Sequence, residues 1–277
     1  MDTIFTKLRD AFLQGSILTK LIYINAGVFI FLHLWGVCFM LFNASEISLL
    51  PYVQMPASPL LFLYKPWTAL TYMFTHFDFL HILFNMLWLY WFGTIFLQFF
   101  NPRQLGGLYI LGGIAGGILF MIAYNVFPYF RHIAAGSALM GASASVMAIV
   151  FAVSFYRKDY YINLLLIGRV KLIYLALGTL VIDLLAITSS NAGGHIAHMG
   201  GAFLGIWFAS QIKAGKDLTA PLNRLMDAIV NLGKRKPKMR VTYRSGELDA
   251  ILDKLKQSGY HGLSAEEKRK LFDASKK

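Results

Sequence analysis

The sequence predicts an all-α polytopic membrane protein: a bundle of six transmembrane helices with a small cytoplasmic helical tail. Three observations predict it. Hydrophobic residues make up 57% of the chain and charged residues only 14%, against about 45–50% and about 25% in a soluble domain. Six apolar runs, at roughly 20–42, 69–98, 106–127, 139–156, 162–187 and 195–213, come close to or exceed the ~20 residues that cross a bilayer. The basic residues punctuate the ends of those runs or gather in the C-terminal tail. That distribution assigns the net charge of +12 to a membrane protein's flanks and excludes nucleic acid as a partner.

Residues 1–18 read as an N-terminal cytoplasmic or interfacial helix, with Ile4, Phe5, Leu8 and Phe12 on one face and Lys7 and Arg9 elsewhere. Residues 19–213 form the six-helix domain. Arg169 and Lys171 interrupt the fifth run, so its span is expected from about residue 172, with an interfacial loop before it. Residues 214–240 hold a juxtamembrane helix and a basic linker. Leu222, Leu225, Met226, Ile229 and Val230 form the apolar face of that helix, Pro221 lies in its first turn and Gly233 just past its end. Residues 241–277 form a cytoplasmic helical hairpin, with Gly259 ending the first helix and Ser264 and Glu267 boxing the start of the second. Cys38 is the single cysteine, so no intramolecular disulfide exists.

Alternating the loops across the bilayer, with the N-terminus inside, puts ten basic residues on the inner side. They are Lys7, Arg9, Lys20, Arg103, Arg157, Lys158, Arg169, Lys171, Lys213 and Lys216, against Lys65 and Arg131 outside. Basic residues favour the cytoplasmic side, so both termini are expected there.

This topology starts the second, fourth and sixth spans at the outer face, each on a polar cluster: HFDFLHILFN, GASAS and GGHIAH. Polar groups in a bilayer are costly and mark function. Ser143 opens the fourth span, where the helix dipole favours a developing anion. Gly201 and Gly205 share the face of His198, and glycines at that spacing let two helices nearly touch. If the partner is the fourth span, His198 reaches Ser143 as a general base reaches a nucleophile. No Asp or Glu near His198 offers a third member, so the pair is expected to be a dyad. His81 and Asn85, at i and i+4, offer side-chain donors to an oxyanion beside the backbone N–H of Ser143. His76 reads as structural and Asp78 as a helix-start residue. A metal shared by His76, His81, His195 and His198 is the competing use, and the lack of a carboxylate ligand or HExxH spacing speaks against it.

Together these residues resemble the rhomboid intramembrane serine proteases: HxxxN at His81–Asn85, GxS at Gly141–Ser143, and AHxxGxxxG at Ala197, His198, Gly201 and Gly205. The resemblance covers about residues 15–213, in order. It implies Ser143 as nucleophile, His198 as base, and His81, Asn85 and the Ser143 backbone as the oxyanion site, with no metal or other cofactor. It implies single-span membrane proteins as substrates, within the lipid bilayer, and places residues 43–67 partly in the outer leaflet. The chain departs from the family pattern at Thr68, Ala144, Met147 and His195, where many members carry Arg, Gly, an aromatic residue and Asn. The tail resembles an extension of some bacterial members, which implies a bacterial inner (cytoplasmic) membrane. A catalytically silent, client-binding relative is the alternative. A transporter is disfavoured, because the chain shows no repeated halves.

Overall fold

The computed structural model describes residues 3–44, 46–164, 168–232 and 245–275. Helix α1 (Ile4–Gln14) starts at Thr3, whose side-chain oxygen accepts the Thr6 amide, and Ser16 caps α2 (Ile17–Leu41) in the same way through Thr19. A loop of short pieces follows: α3 (Leu50–Val53), strand β1 (Met55–Pro56), α4 (Pro59–Tyr64), α5 (Thr68–Thr71) and a 3₁₀ turn at Tyr72–Phe74. Next come α6 (Phe79–Phe96), α7 (Pro102–Val126), α8 (Pro128–Arg131), strand β2 (Ala138–Leu139) and α9 (Ser143–Tyr156). The strands β3 (Tyr161–Leu164) and β4 (Gly168–Lys171), then α10 (Leu172–Leu185), α11 (Ala192–Lys213) and α12 (Ala220–Leu232), complete this part. The protein is a helical membrane protein, and its only strands among the described residues are these four short ones.

The six apolar runs map onto α2, α6, α7, α9, α10 and α11. Among the described residues α2, α6 and α7 are long and apolar enough to cross a membrane, while α9 and α10 are apolar but only 14 residues each. The fifth helix starts at Leu172, as expected, but the stretch before it is an antiparallel hairpin, with Tyr161 opposite Lys171, not a plain loop. Asp159 ties it down through Lys171 at 2.9 Å, and this ammonium holds the Asp159 carboxyl below its usual range. The second run also breaks where it was read as continuous. Extended backbone at Thr75 and Asp78 puts His76 in a loop and starts α6 at Phe79.

Helix α9 is the centre of the bundle. It packs against α6, α7, α10 and α11, and ten of its 14 residues are buried. Its small residues allow close approach on two sides. A Cβ on Gly201 would collide with the Ala144 carbonyl and one on Gly205 with that of Ala148, while Gly116 and Gly112 of α7 receive the methyls of Ala144 and Ala148. At one end of these helices Phe100, just past α6, meets Tyr156 of α9 and Phe208 of α11 at ring-centroid distances of 4.7 and 5.3 Å, and Lys213 bonds to the Phe155 carbonyl. At the other end His81 lies against the Gly141–Ser143 turn. Helices α6, α9 and α11 therefore run in the same direction, and their N-termini share one end.

The C-terminal hairpin is a separate unit. Its helices α13 (Ser245–Ser258) and α14 (Ala265–Ser275) meet around the buried side chains Ile251 and Leu263. Gly259 takes the left-handed conformation (φ +68°) that ends α13. The capping box forms as read: the Ser264 amide donates to Glu267 (2.7 Å), and the Glu267 amide to the Ser264 hydroxyl (3.2 Å). Residues 233–244, which hold Gly233 and the basic linker, lie outside the described residues, as do the side chains of Ile4, Phe5 and Leu8.

Two outcomes test this architecture. Gly201→Ala should lower stability in detergent by about 1–3 kcal/mol through overpacking, read as a fall in the thermal midpoint; an unchanged midpoint would mean that α9 and α11 do not touch there. The Ser264 amide and Lys254 lower the Glu267 carboxyl to about 2. Its contribution to the hairpin is then complete above the unfolded value of about 4.3 and lost as pH falls towards 2. An NMR titration of Glu267 with a midpoint near 4 would refute the cap.

Candidate active site

Two short ladders hold the turn that carries Ser143. In the first, β1 pairs antiparallel with β2, Met55 opposite Leu139 and Pro56 opposite Ala138, and the Ala57 amide donates to the Ser137 carbonyl at 2.9 Å. The Asn125 side chain donates to the Ala57 carbonyl and fixes the same strand to α7. In the second, the Gly141 amide donates to the Tyr72 carbonyl (2.9 Å), and the Ala142 amide to Nε2 of the fully buried His76 (3.2 Å). Gly141 has φ +118°, a conformation that side chains disfavour. A Cβ there would lie 2.9 Å from Cε1 of His81, 3.1 Å from its Nε2 and 3.8 Å from Oγ of Ser143. Glycine is thus what lets His81 and the serine share one corner.

His76 is structural, as read: it takes up the amide next to the nucleophile candidate, and its ring meets that of His81 edge-on at 5.2 Å between centroids. Asp78 stands at the start of α6, but its side chain makes no capping bond. Where many relatives carry arginine, Thr68 is buried and bonds its own turn at the Lys65 carbonyl, while Lys65 and Trp67 donate to the carbonyls of Pro51 and Tyr52. Loop 43–67 is therefore fastened without the arginine.

Ser143 is the first residue of α9, and the amides of a helix's first turn lack helical acceptors. With the Ala142 amide occupied, that of Ser143 is the adjacent donor, and it shows no acceptor among the described residues. A cavity of about 330 Å³ brings together Ser143, His198, His81, Asn85, Asp183 and Met147. Asn85 is buried, and one of its amide hydrogens goes to the His81 carbonyl (2.9 Å), which turns the side chain along α6. Ser145 faces the other way, buried towards Met73. No hydrogen bond joins Ser143 to His198 among the described residues; in unliganded sites such contacts are often long and tighten with substrate.

The expectation that no carboxylate stands near His198 is overturned. Asp183 of α10, only 5% exposed, places Oδ1 2.9 Å from Nδ1 of His198 and 2.8 Å from Nδ1 of His195. The sequence separates Asp183 from His198 by 15 residues and a turn, and helix spacing cannot bridge that; the packing of α10 on α11 does. One signal was available, since an aspartate alone in LIYLALGTLVIDLLAI is costly unless it is bonded. The cluster also differs from the four-histidine set weighed above: His76 and His81 pair on one side, and His195 and His198 pair on Asp183. The atoms of Asp183, His195 and His198 lie within 4.8 Å of one another, as a metal set would, and the two bonds to Oδ1 account for that closeness.

A helix of 14 residues rises about 21 Å, and a bilayer's hydrocarbon core is about 30 Å thick. An α9 of that length, set along the membrane normal with Arg157 and Lys158 at one surface, would leave Ser143 roughly 9 Å below the other. The protein is thus a polytopic helical membrane protein with a polar site at one end of its bundle. Residues 64–213 match the family model described as the Rhomboid domain, more than half of the chain, and the chain belongs to the rhomboid family. Residues 239–277 match a second model, a family of unknown function (DUF6576). "RHOMBOID-like protein 12, mitochondrial" of Arabidopsis thaliana is 28% identical over 217 residues, covering 74% of this chain and 62% of that protein. "Presenilin-associated rhomboid-like protein, mitochondrial" of Homo sapiens is 26% identical over 150 residues, covering 50% of this chain and 35% of that protein. The chain thus spans less than two thirds of the length of these relatives.

His76→Leu tests the turn. It leaves the Ala142 amide buried without an acceptor and should lower stability by about 1–3 kcal/mol, measured by thermal unfolding in detergent. An unchanged midpoint would mean that the bond to His76 does not hold the loop.

Proposed function

We propose that the protein is an intramembrane serine endopeptidase that cuts single-span membrane proteins within or near their transmembrane segments. The observation that carries the reading is the single cavity lined by Ser143, His198, His81 and Asn85. The Ser143 hydroxyl loses its proton to Nε2 of His198 as Oγ bonds to the scissile carbonyl carbon. The C=O electron pair moves to oxygen, and the oxyanion takes donors from the Ser143 amide, the His81 ring and the Asn85 side chain. Collapse breaks the C–N bond, and the imidazolium gives its proton to the leaving amine. Water then repeats the sequence on the acyl-serine: His198 takes its proton, and Ser143 recovers its own. Neither cofactor nor metal takes part. Helical peptide carbonyls are already bonded and shielded by the next turn, so a substrate must present an unwound stretch at the recessed serine.

The names of the relatives place those proteins in mitochondria, whereas the resemblance of the tail to an extension of bacterial members favours a bacterial cytoplasmic membrane. The positive-inside count favours a cytoplasmic side for both termini. The reading keeps that topology, and cysteine accessibility scanning would test it.

Labelling with a fluorophosphonate probe tests the chemistry. Wild type should label, and Ser143→Ala and His198→Ala should not. Folded wild type that fails to label in detergent and in lipid would leave the silent, client-binding alternative. Asn85→Ala should slow cleavage of a single-span reporter about 10²–10³-fold; equal activity would remove Asn85 from the oxyanion site.

A further inference from the structure

We propose that Asp183 is a positioning residue for His198, so that the proposed site works as a serine–histidine–aspartate triad, with His195 as the second donor that holds the aspartate in place. The inference rests on the assignment of Ser143 and His198 above.

Asp183 is buried within an apolar helix, and an ionised carboxylate there is tolerated only where hydrogen bonds replace its water. Both bonds recorded for it come from imidazoles of α11, and both reach the same oxygen. A carboxylate oxygen has two lone pairs, so two donors fill it. His195 and His198 stand three apart on a helix and so present their rings on one face, where a single oxygen can serve both.

The consequence for His198 is chemical. A neutral imidazole carries one N–H. Donating Nδ1–H to Asp183 leaves the lone pair on Nε2, the nitrogen that must receive the serine proton. Once Nε2 is protonated, the ring is a cation whose Nδ1–H already faces a carboxylate. Proton count and charge balance at each step: Asp183 remains ionised, and only Ser143, the substrate and Nε2 exchange a proton. His195 lies outside the set of residues lining the serine cavity. Its hydrogen bond therefore acts on the aspartate and not on substrate.

A purely structural role is the competing account. Only Leu172, Ala176 and Asp183 are buried along α10, so the Asp183 bonds also dock that helix on α11. Two readouts separate the accounts. The first is the concentration dependence of fluorophosphonate labelling, resolved into a maximal rate and a half-saturating concentration. The second is ¹⁵N NMR of histidine-labelled protein in detergent, which reports the nitrogen that carries the proton. Wild type should show His198 as the Nδ1–H tautomer. Asp183→Asn should lower the maximal rate about 10²–10⁴-fold, leave the half-saturating concentration unchanged and abolish the preference for Nδ1–H. Asp183→Asn that melts earlier, while its folded fraction keeps the wild-type maximal rate and tautomer, would overturn the inference. So would wild-type His198 protonated at Nε2, whether or not the variant folds. Folded wild type that does not label at all would instead refute the proposed function, and the tautomers would then decide the link between Asp183 and His198 by themselves.

Discussion

Everything at the candidate site depends on backbone lying against backbone where α9 meets α11. Gly201 and Gly205 leave the carbonyls of Ala144 and Ala148 room that any side chain would fill. Without that contact His198, one turn before Gly201, would stand a side chain's width further from Ser143. The attraction is van der Waals packing, because lipid tails offer helices no hydrophobic reason to associate. Small residues therefore carry the organisation of this bundle, and the large aromatic residues, Phe96, Phe100, Tyr156 and Phe208, close it at the opposite end.

Much of this was legible in the residues themselves. The spacing of His198, Gly201 and Gly205 pointed to a close helix partner, and small residues in GASASVMAIV made the fourth span a candidate for it. The capping box at Ser264 and Glu267 and the break before Leu172 were equally local, and local patterns survive folding. What remained hidden was non-local or depended on backbone geometry. Asp183 reaches His198 only because two helices pack, and helical periodicity is silent about that. The left-handed turn at Gly141, which admits the His81 ring, depends on backbone geometry that the GxS pattern does not reveal. The ladder between β1 and β2 is two residues long, too short for any alternation to show.

The site differs from a bare serine–histidine pair in the company its histidine keeps. His195 stands where many relatives carry asparagine, and the same oxygen of Asp183 meets both imidazoles. The departure from the family pattern at residue 195 and the aspartate in α10 are thus one feature of the structure and not two.

The strands β1 and β2 join two regions with different surroundings. On one side lies the turn leading to Ser143; on the other, the segment with the exposed side chains Leu60, Leu63 and Tyr64. The ladder joins the segment that carries them to the backbone two residues before Gly141. A displacement of that exposed apolar segment is therefore felt, through two residues of backbone pairing, at the turn that carries the nucleophile candidate.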